Sequence, residues 1–328
     1  MRYSEIKGSK HVFQMPSITL GSVFFGTKVP ENTAFSILDA YYEKGGNWLD
    51  TARVYGTELI SEKDRKTDFS DSEEVIGRWI KSRNIRDKIT LVTKGAHGSL
   101  KTGEKRVNPD GIYEDMETSL QKLGLDSVDI YFLHKDDPTV SVKEIMPAMH
   151  ALIQSGKTKE IGCSNWTLER FTKANEFAVE NGLTPFSISQ VKWSYAVPFS
   201  KISNGDVDMG QTPEEYERYR EMNMPVMAYS SQARGFFLKA ARANLDEKIM
   251  GKAAVFLSEQ NKKRAEIVKK IAETEKISIS AAAFSYLWSK EIPVTALIGP
   301  SSVEHLLDSM EDCDYVPTET VKQLLSLG

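Results

Sequence analysis

The stretch Gly45-Gly46-Asn47-Trp48-Leu49-Asp50-Thr51-Ala52-Arg53-Val54-Tyr55-Gly56 decides how the rest of the chain is read. A helical run ends at the paired glycines, a short apolar strand follows, and that strand ends in a carboxylate. Five residues past Asp50 stands Tyr55, directly before a glycine that lets the chain turn. The layout predicts that Asp50 and Tyr55 share the carboxyl end of one strand. In a parallel barrel, that end is where chemistry is done.

Working outward, short β-rich apolar runs alternate with amphipathic stretches. Strands are expected at 17–25, 47–50, 88–94, 127–134, 159–164, 186–191, 225–230 and 294–299. Helical patterns fill 32–44, 72–83, 109–123, 142–155, 168–181, 213–222, 264–275 and 303–310, with one more over 280–289. The run after Asp110 carries Ile112, Met116, Leu120 and Leu123, the stripe of a half-buried helix. Thr212-Pro213-Glu214-Glu215 reads as an N-cap, a proline at the first helical position and a capping-box glutamate. Strand-then-helix alternation requires crossover connections, hence parallel strands covered by helices. Eight such units in about 250 to 330 residues predict a (β/α)₈ TIM barrel. The competitor, a doubly wound open sheet, lacks its Gly-x-Gly-x-x-Gly at the first helix. No low-complexity linker divides the 328 residues, so the reading is one domain over 1–328 with its core at about 17–311. Long loops are expected after strand six, over 196–211, and after strand seven, over 231–262. Loops of this length at carboxyl ends usually cover ligands.

Composition narrows the classes. A net charge of -4 gives no general attraction to nucleic acid. The basic run Lys262-Lys263-Arg264 sits among Glu and Ala at helical spacing and reads as a solvated helix face. Cys163 and Cys313 lie far apart, which excludes a disulfide framework and suits a reducing, cytoplasmic compartment. The polar amino terminus lacks the apolar centre of a signal peptide, and no apolar run approaches the ~20 residues that span a bilayer. No membrane partner is expected.

The ends of the expected strands carry a polar set: Asp50 with Tyr55, Lys94, His134, Ser164 with Asn165, and Tyr229 with Ser230; Gln190 lies within strand six. Each has a plainer reading. Asp50 could cap a turn, Tyr55 could pack at the surface, Lys94 could snorkel, and His134 could be structural. Their conjunction at one barrel mouth points instead to a proton-transfer group. Free tyrosine, with a pKa of about 10, holds a proton at neutral pH. A neighbouring ammonium from Lys94, held by Asp50, would lower that value toward the working range. A ring N–H of His134 could orient a carbonyl and stabilise charge on its oxygen. The set contains no Ser-His or Cys-His nucleophile and no zinc ligand cluster, so no metal is expected.

At this point the sequence resembles the aldo-keto reductase superfamily, from about Ser17 to about Met310. Residues 45–56 match its G-x-N-x-x-D-T-A-x-x-Y-G signature, 120–134 resemble its second signature, and 157–165 its third. The resemblance implies a catalytic tetrad of Asp50, Tyr55, Lys94 and His134, with Tyr55 as acid/base. It implies a nicotinamide cofactor across the mouth, with Ser164, Asn165 and Gln190 on the carboxamide and Tyr229 stacked on the ring. Phe24 and Asp50 border the same cofactor. Ser230, Ser231, Gln232 and Arg234 would meet the pyrophosphate, and Gly299, Ser301, His305 and Ser309 the adenosine end. Phe25, Tyr55, His97, His134 and Trp193 would wall the substrate, a small-molecule carbonyl or alcohol.

The departures concern the cofactor more than the chemistry. Gly299 and His305 stand where relatives place a lysine and an arginine against a 2′-phosphate, and Ser309 replaces a common asparagine. NADP(H) is still favoured over NAD(H), because Arg234, Lys239 and Arg242 could supply positive charge. Two other readings stand beside it: a cofactor-sensing binding subunit with slow turnover, and an unrelated barrel hydrolase using Asp50 with Asp136 or Asp137. Substrate identity and oligomeric state are left open.

Overall fold

The computed structural model describes the chain except for Arg65, Thr67, Asp68, Leu100, Lys101, 200–204 and 244–246. The strands are Tyr3–Lys7 (β1), Val12–Pro16 (β2), Ile18–Gly21 (β3), Trp48–Asp50 (β4), Thr90–Gly95 (β5), Val128–Leu133 (β6), Thr158–Ser164 (β7), Ile188–Lys192 (β8), Val226–Tyr229 (β9) and Val294–Ile298 (β10). β3 to β10 are parallel and close into one eight-stranded barrel, in which each strand pairs with the next in sequence and β10 returns to β3. The helices around it are Glu31–Glu43 (α1), Ser72–Arg83 (α2), Pro109–Leu123 (α3), Val142–Gln154 (α4), Leu168–Glu180 (α5) and Glu215–Glu221 (α6). They continue as Phe236–Ala243 (α7), Glu247–Met250 (α8), Glu259–Glu275 (α9), Ile279–Trp288 (α10), Val303–Met310 (α11) and Glu319–Ser326 (α12). The (β/α)₈ barrel expected from the alternation is the fold. Among the described residues, no helix is long and apolar enough to cross a membrane.

Local chemistry explains the best-defined elements. α3 starts where the Asn108 side chain accepts the Gly111 N–H, with Pro109 at the first position, and stops at Gly124 in the left-handed region. Between these ends Ile112, Met116, Leu120 and Leu123 are buried, as the stripe requires. Inside the barrel, Trp48, Val92, Ile130, Phe132, Ile188 and Met227 form a separate apolar cluster. Ile6, Phe13 and Met15 join it from below.

Those three residues belong to a feature absent from the sequence reading. β1 and β2 pair antiparallel, from Tyr3 opposite Pro16 to Lys7 opposite Val12. The hairpin plugs the amino end of the barrel, with Phe13 edge-on to Trp48.

Other boundaries also differ. The first barrel strand ends at Gly21 rather than at 25, because Phe25 N–H turns back to the Ser22 carbonyl. α6 begins at Glu215 with no side-chain cap, so the capping reading of 212–215 does not hold; the Thr212 hydroxyl donates to the Asp208 carbonyl instead. The long connection over 231–262 holds α7, α8 and the start of α9. Phe236, Phe237, Met250 and Phe256 build a second core there with Tyr195, Val268 and Ile271. α9 starts at Glu259, five residues before 264, because Ser258 caps it and the polar Asn261 occupies its first buried position. α12 had no expected counterpart. Parts of both long connections, 200–204 and 244–246, lie outside the described residues.

Candidate active site

β4 delivers Asp50 fully buried at its carboxyl end. The chain then crosses toward β5: Thr51 N–H donates to the Val92 carbonyl and Arg53 N–H to the Lys94 carbonyl, each at 2.9 Å. A tight turn follows, with Tyr55 N–H bonded to the Ala52 carbonyl at 2.9 Å. Gly56 closes the turn at φ 109, and a Cβ there would lie 2.7 Å from Asp71 Cα, so no other residue fits without movement. The Tyr55 carbonyl accepts the N–H of Ser72, at the start of α2. Tyr55 is thereby held between the strand end and the helix.

Lys94, on β5, is also fully buried. Its Nζ donates to Asp50 Oδ2 at 2.7 Å, to the Thr51 carbonyl at 2.8 Å and, at 3.5 Å, to the Tyr55 hydroxyl. His134, just past β6, is anchored through its N–H to the Gly95 carbonyl. Its ring stands edge-on to Tyr55 at 5.5 Å and to His97 at 5.0 Å. The ring edge is half-buried, while Nδ1 is enclosed with no hydrogen-bond partner among the described residues. A buried ring nitrogen left open is costly unless something else meets it.

The electrostatics separate the roles. Burial opposes the charge on Lys94, yet Asp50 and Tyr55 carry its pKa above the ordinary lysine value. Burial pushes the Asp50 carboxyl up, against the pull of Lys94 and Gln190. Both oxygens of Asp50 accept N–H bonds, which is the geometry of the carboxylate. Burial also raises the Tyr55 phenol above 10, outweighing Lys94. This reverses the sequence-based expectation of a net lowering: the ammonium opposes the shift, but desolvation is larger. Burial, followed by Lys94, His97, Lys135 and Arg53, drives His134 well below the ordinary imidazole value, so its ring is neutral at pH 7.

Residues expected at the cofactor meet at the same mouth. Gln190 Nε2 donates to Asp50 Oδ1 at 2.8 Å, joining this set to the tetrad. Asn165, held at φ 60, accepts through Oδ1 from the Tyr229 hydroxyl at 2.8 Å and the Val207 N–H at 3.1 Å. Its Nδ2 donates to Ser164 Oγ at 3.0 Å. Further out, Ser231 Oγ donates to the Leu297 carbonyl and Gln232 Nε2 to Ser309 Oγ at 2.9 Å. Ser301 Oγ lies 3.1 Å from His305 Nδ1. Ser230 and Arg234 have left-handed backbones and are exposed, as are Gly299 and Ser301. Amide and hydroxyl groups next to the tetrad, an aromatic ring beside them, and hydroxyls with a guanidinium further out suit a nicotinamide dinucleotide. The residues present fit it.

Two expected substrate contacts are overturned. Phe25 is 1% exposed inside the main core, because the turn after β3 points it inward and leaves Phe24 outside at 37%. Trp193 is also 1% exposed, packed against Tyr216 and Tyr286, and cannot wall a pocket. The His97 ring lies 5.0 Å from that of His134. Asp136 pairs with Arg170, and Asp137 folds a turn onto Thr139 and meets Lys105, the loop roles that disfavour them as a second catalytic acid. Val207 is a contact the sequence could not show, because it acts through its main-chain N–H.

A closed parallel barrel with a buried Asp–Lys pair, a tyrosine and a neutral histidine at its carboxyl end defines a barrel oxidoreductase. The Aldo/keto reductase family profile matches residues 17–325, and the chain belongs to that family. It is similar to a norsolorinic acid reductase of Aspergillus flavus, 28% identical over 97% of this chain and 78% of that protein. A probable aryl-alcohol dehydrogenase of Saccharomyces cerevisiae is 32% identical over 85% of this chain and 82% of that protein. A putative aryl-alcohol dehydrogenase from the same yeast is 33% identical over 88% and 74%. The protein is an oxidoreductase acting on carbonyl and alcohol groups, of a family that generally uses NAD(P)H.

Proposed function

We propose that the protein catalyses reversible hydride transfer between a nicotinamide dinucleotide and a small carbonyl compound, with Tyr55 as the general acid/base. The observation that carries this reading is Lys94 Nζ, within reach of both Asp50 Oδ2 and the Tyr55 hydroxyl. The bound dinucleotide supplies or accepts the hydride. The chain's own residues do the rest. Tyr55, protonated at neutral pH, donates its hydroxyl proton to the oxygen that becomes the alcohol. The Lys94 ammonium offsets the phenolate left behind, and Asp50 keeps that ammonium charged. Neutral His134 presents one ring N–H to the carbonyl oxygen, orienting it and stabilising its developing charge. Ser164, Asn165 and Gln190 would hold the carboxamide, with Tyr229 as the aromatic face beside the ring. In the reverse direction the phenolate accepts the proton.

NADPH is favoured over NADH. Arg234 is exposed and commits one nitrogen to the Lys252 carbonyl, leaving others for a phosphate. Lys239 is engaged with the Met250 carbonyl and Arg242 lies 3.8 Å from Asp308, so the support falls mainly on Arg234. The yeast relatives' names suggest aryl aldehydes and aryl alcohols as substrates, in keeping with the exposed Phe24 and the His97 ring. The free, buried cysteines accord with a cytoplasmic location. The alternative of a cofactor-sensing subunit draws no support from relatives named as reductases and dehydrogenases. Tyr55→Phe is the direct test. Aryl-aldehyde reduction should fall by about 10²–10⁴-fold with NADPH binding retained; full turnover would reject the assigned role.

A further inference from the structure

Behind the loops after β4 and β5 lies a charge cluster that the proton-transfer group does not include. Asp115, on α3, is 1% exposed. Its Oδ2 accepts the Ala96 N–H at 2.7 Å. Its Oδ1 lies 2.9 Å from Arg53 Nε and accepts from Arg106 Nε at 3.0 Å. Arg53 also reaches Glu58 at 2.8 Å, and Arg106 reaches Glu114 at 2.9 Å. The cluster lines an open crevice of about 540 Å³, in which Glu114 is exposed and Asp115 stays buried.

Where the two ends of this ion pair attach makes it more than a stabilising contact. Arg53 stands two residues before Tyr55, and its own N–H is bonded to the Lys94 carbonyl. Ala96 stands two residues after Lys94 and directly before His97. Its φ of 56 is a conformation that a residue with a Cβ seldom holds without outside help. The Asp115 carboxylate supplies that help by accepting the Ala96 N–H. Between Lys94 and Ala96, the Gly95 carbonyl receives the His134 N–H. One buried carboxylate thus reaches the backbone that carries Lys94, His97 and His134, and one of its two guanidinium partners, Arg53, sits on the turn that carries Tyr55.

We propose that Arg53 and Asp115 are positioning residues for the reaction, their ion pair setting the placement of Tyr55 relative to the His97 and His134 rings. Neither side chain touches the reacting atoms; both act through the backbone of the two loops. The Arg53 guanidinium donates to Glu58 through Nη1 while its Nε side lies against Asp115 as an ion pair, a planar reach that a lysine cannot reproduce. The proposal rests on the reading of Tyr55 as the acid.

The test uses the full chain with 4-nitrobenzaldehyde and saturating NADPH. Arg53→Met and Asp115→Asn should each lower kcat by about ten- to a hundredfold, with KM and NADPH affinity changed by less than about threefold. Arg53→Lys should recover part of the loss. Leu120→Ala, a core change on the same helix, should lower the melting temperature and leave kcat in place. Loss of kcat no greater than in Leu120→Ala at matched melting temperature would overturn the proposal, as would a loss confined to NADPH binding. A second readout needs no turnover. The ring-proton NMR signals of His97 and His134, assigned through His97→Gln and His134→Gln among the five histidines, should shift in Arg53→Met and Asp115→Asn but not in Leu120→Ala. Unshifted signals overturn the clamp. Shifted signals, alongside full activity in Tyr55→Phe, retain the clamp and remove only the role given to Tyr55.

Discussion

The two ends of the barrel each bury a carboxylate, and they treat it differently. At the amino end, Glu160 on β7 is 1% exposed and is wrapped by the hairpin turn. Its oxygens accept the Ser9 N–H and hydroxyl at 2.9 Å and the Lys10 N–H at 3.1 Å, with His11 Nδ1 at 3.4 Å. The Ser9 and Lys10 donors of the hairpin turn satisfy that carboxylate, so the group is finished by folding alone. At the carboxyl end, Asp50 is also saturated, but its partner Lys94 extends to the Tyr55 hydroxyl, and the adjoining His134 Nδ1 has no hydrogen-bond partner among the described residues. The same burial that makes a plug below makes a proton-transfer group above, because the lower carboxylate meets only donors of the hairpin turn whereas the upper one holds an ammonium that also reaches a titratable hydroxyl.

That contrast can be broken most sharply at Lys94. Lys94→Met leaves Asp50 buried without its counter-charge, which costs about 3–5 kcal/mol for a pair broken on one side. It also removes the cation that offsets the phenolate. We therefore expect a lowered melting temperature together with loss of measurable aryl-aldehyde reduction. At the other end, Glu160→Gln should cost about 1–3 kcal/mol through mismatched donors around the hairpin turn, with kcat and KM unchanged. Parallel melts and kinetics on the two variants decide the matter; a fall in kcat for Glu160→Gln would erase the distinction between the ends. Gln190→Met comes next in size. It removes one hydrogen bond to the Asp50 carboxylate and one amide from the carboxamide set. About tenfold weaker NADPH binding is expected, measured by nicotinamide fluorescence, with the fold intact.

Much of the upper end was legible in the sequence. Asp50, Lys94 and His134 each stand at the end of an apolar run, with Tyr55 five residues past the first, and a parallel barrel gathers such positions at one mouth. What escaped was set by turns and main-chain atoms. Phe24 and Phe25 are indistinguishable by composition, and only the bend after Gly21 decides which ring faces out. Trp193 could line a pocket or fill a core; its neighbours Tyr216 and Tyr286, distant in sequence, put it in the core. The plug is not legible although Phe13 and Met15 fall on alternate positions of their strand, because two five-residue runs broken by Glu5, Lys7 and Gln14 carry little apolar signal. The sign of the Tyr55 shift was misjudged for a related reason: the nearby ammonium is readable from residue types, whereas the depth of burial is a property of the closed barrel.

The smallest effect expected concerns His134 and stability against pH. Burial, joined by the nearby cations, holds its native pKa well below 6.5. In the unfolded chain the same imidazole takes up a proton near about 6.5. Above that pH neither state is protonated there, and the histidine contributes no pH dependence. As pH falls below it, the unfolded state binds a proton that the native state refuses, so unfolding gains ground until the native ring titrates too. His134→Gln removes this difference while keeping a polar side chain of similar reach. Between about pH 7.5 and about pH 5 the wild-type melting temperature should therefore fall further than that of the variant. Equal falls would mean that the ring is protonated in the native mouth, and a charged imidazole there has no free nitrogen lone pair and would repel the Lys94 ammonium that the tyrosine depends on.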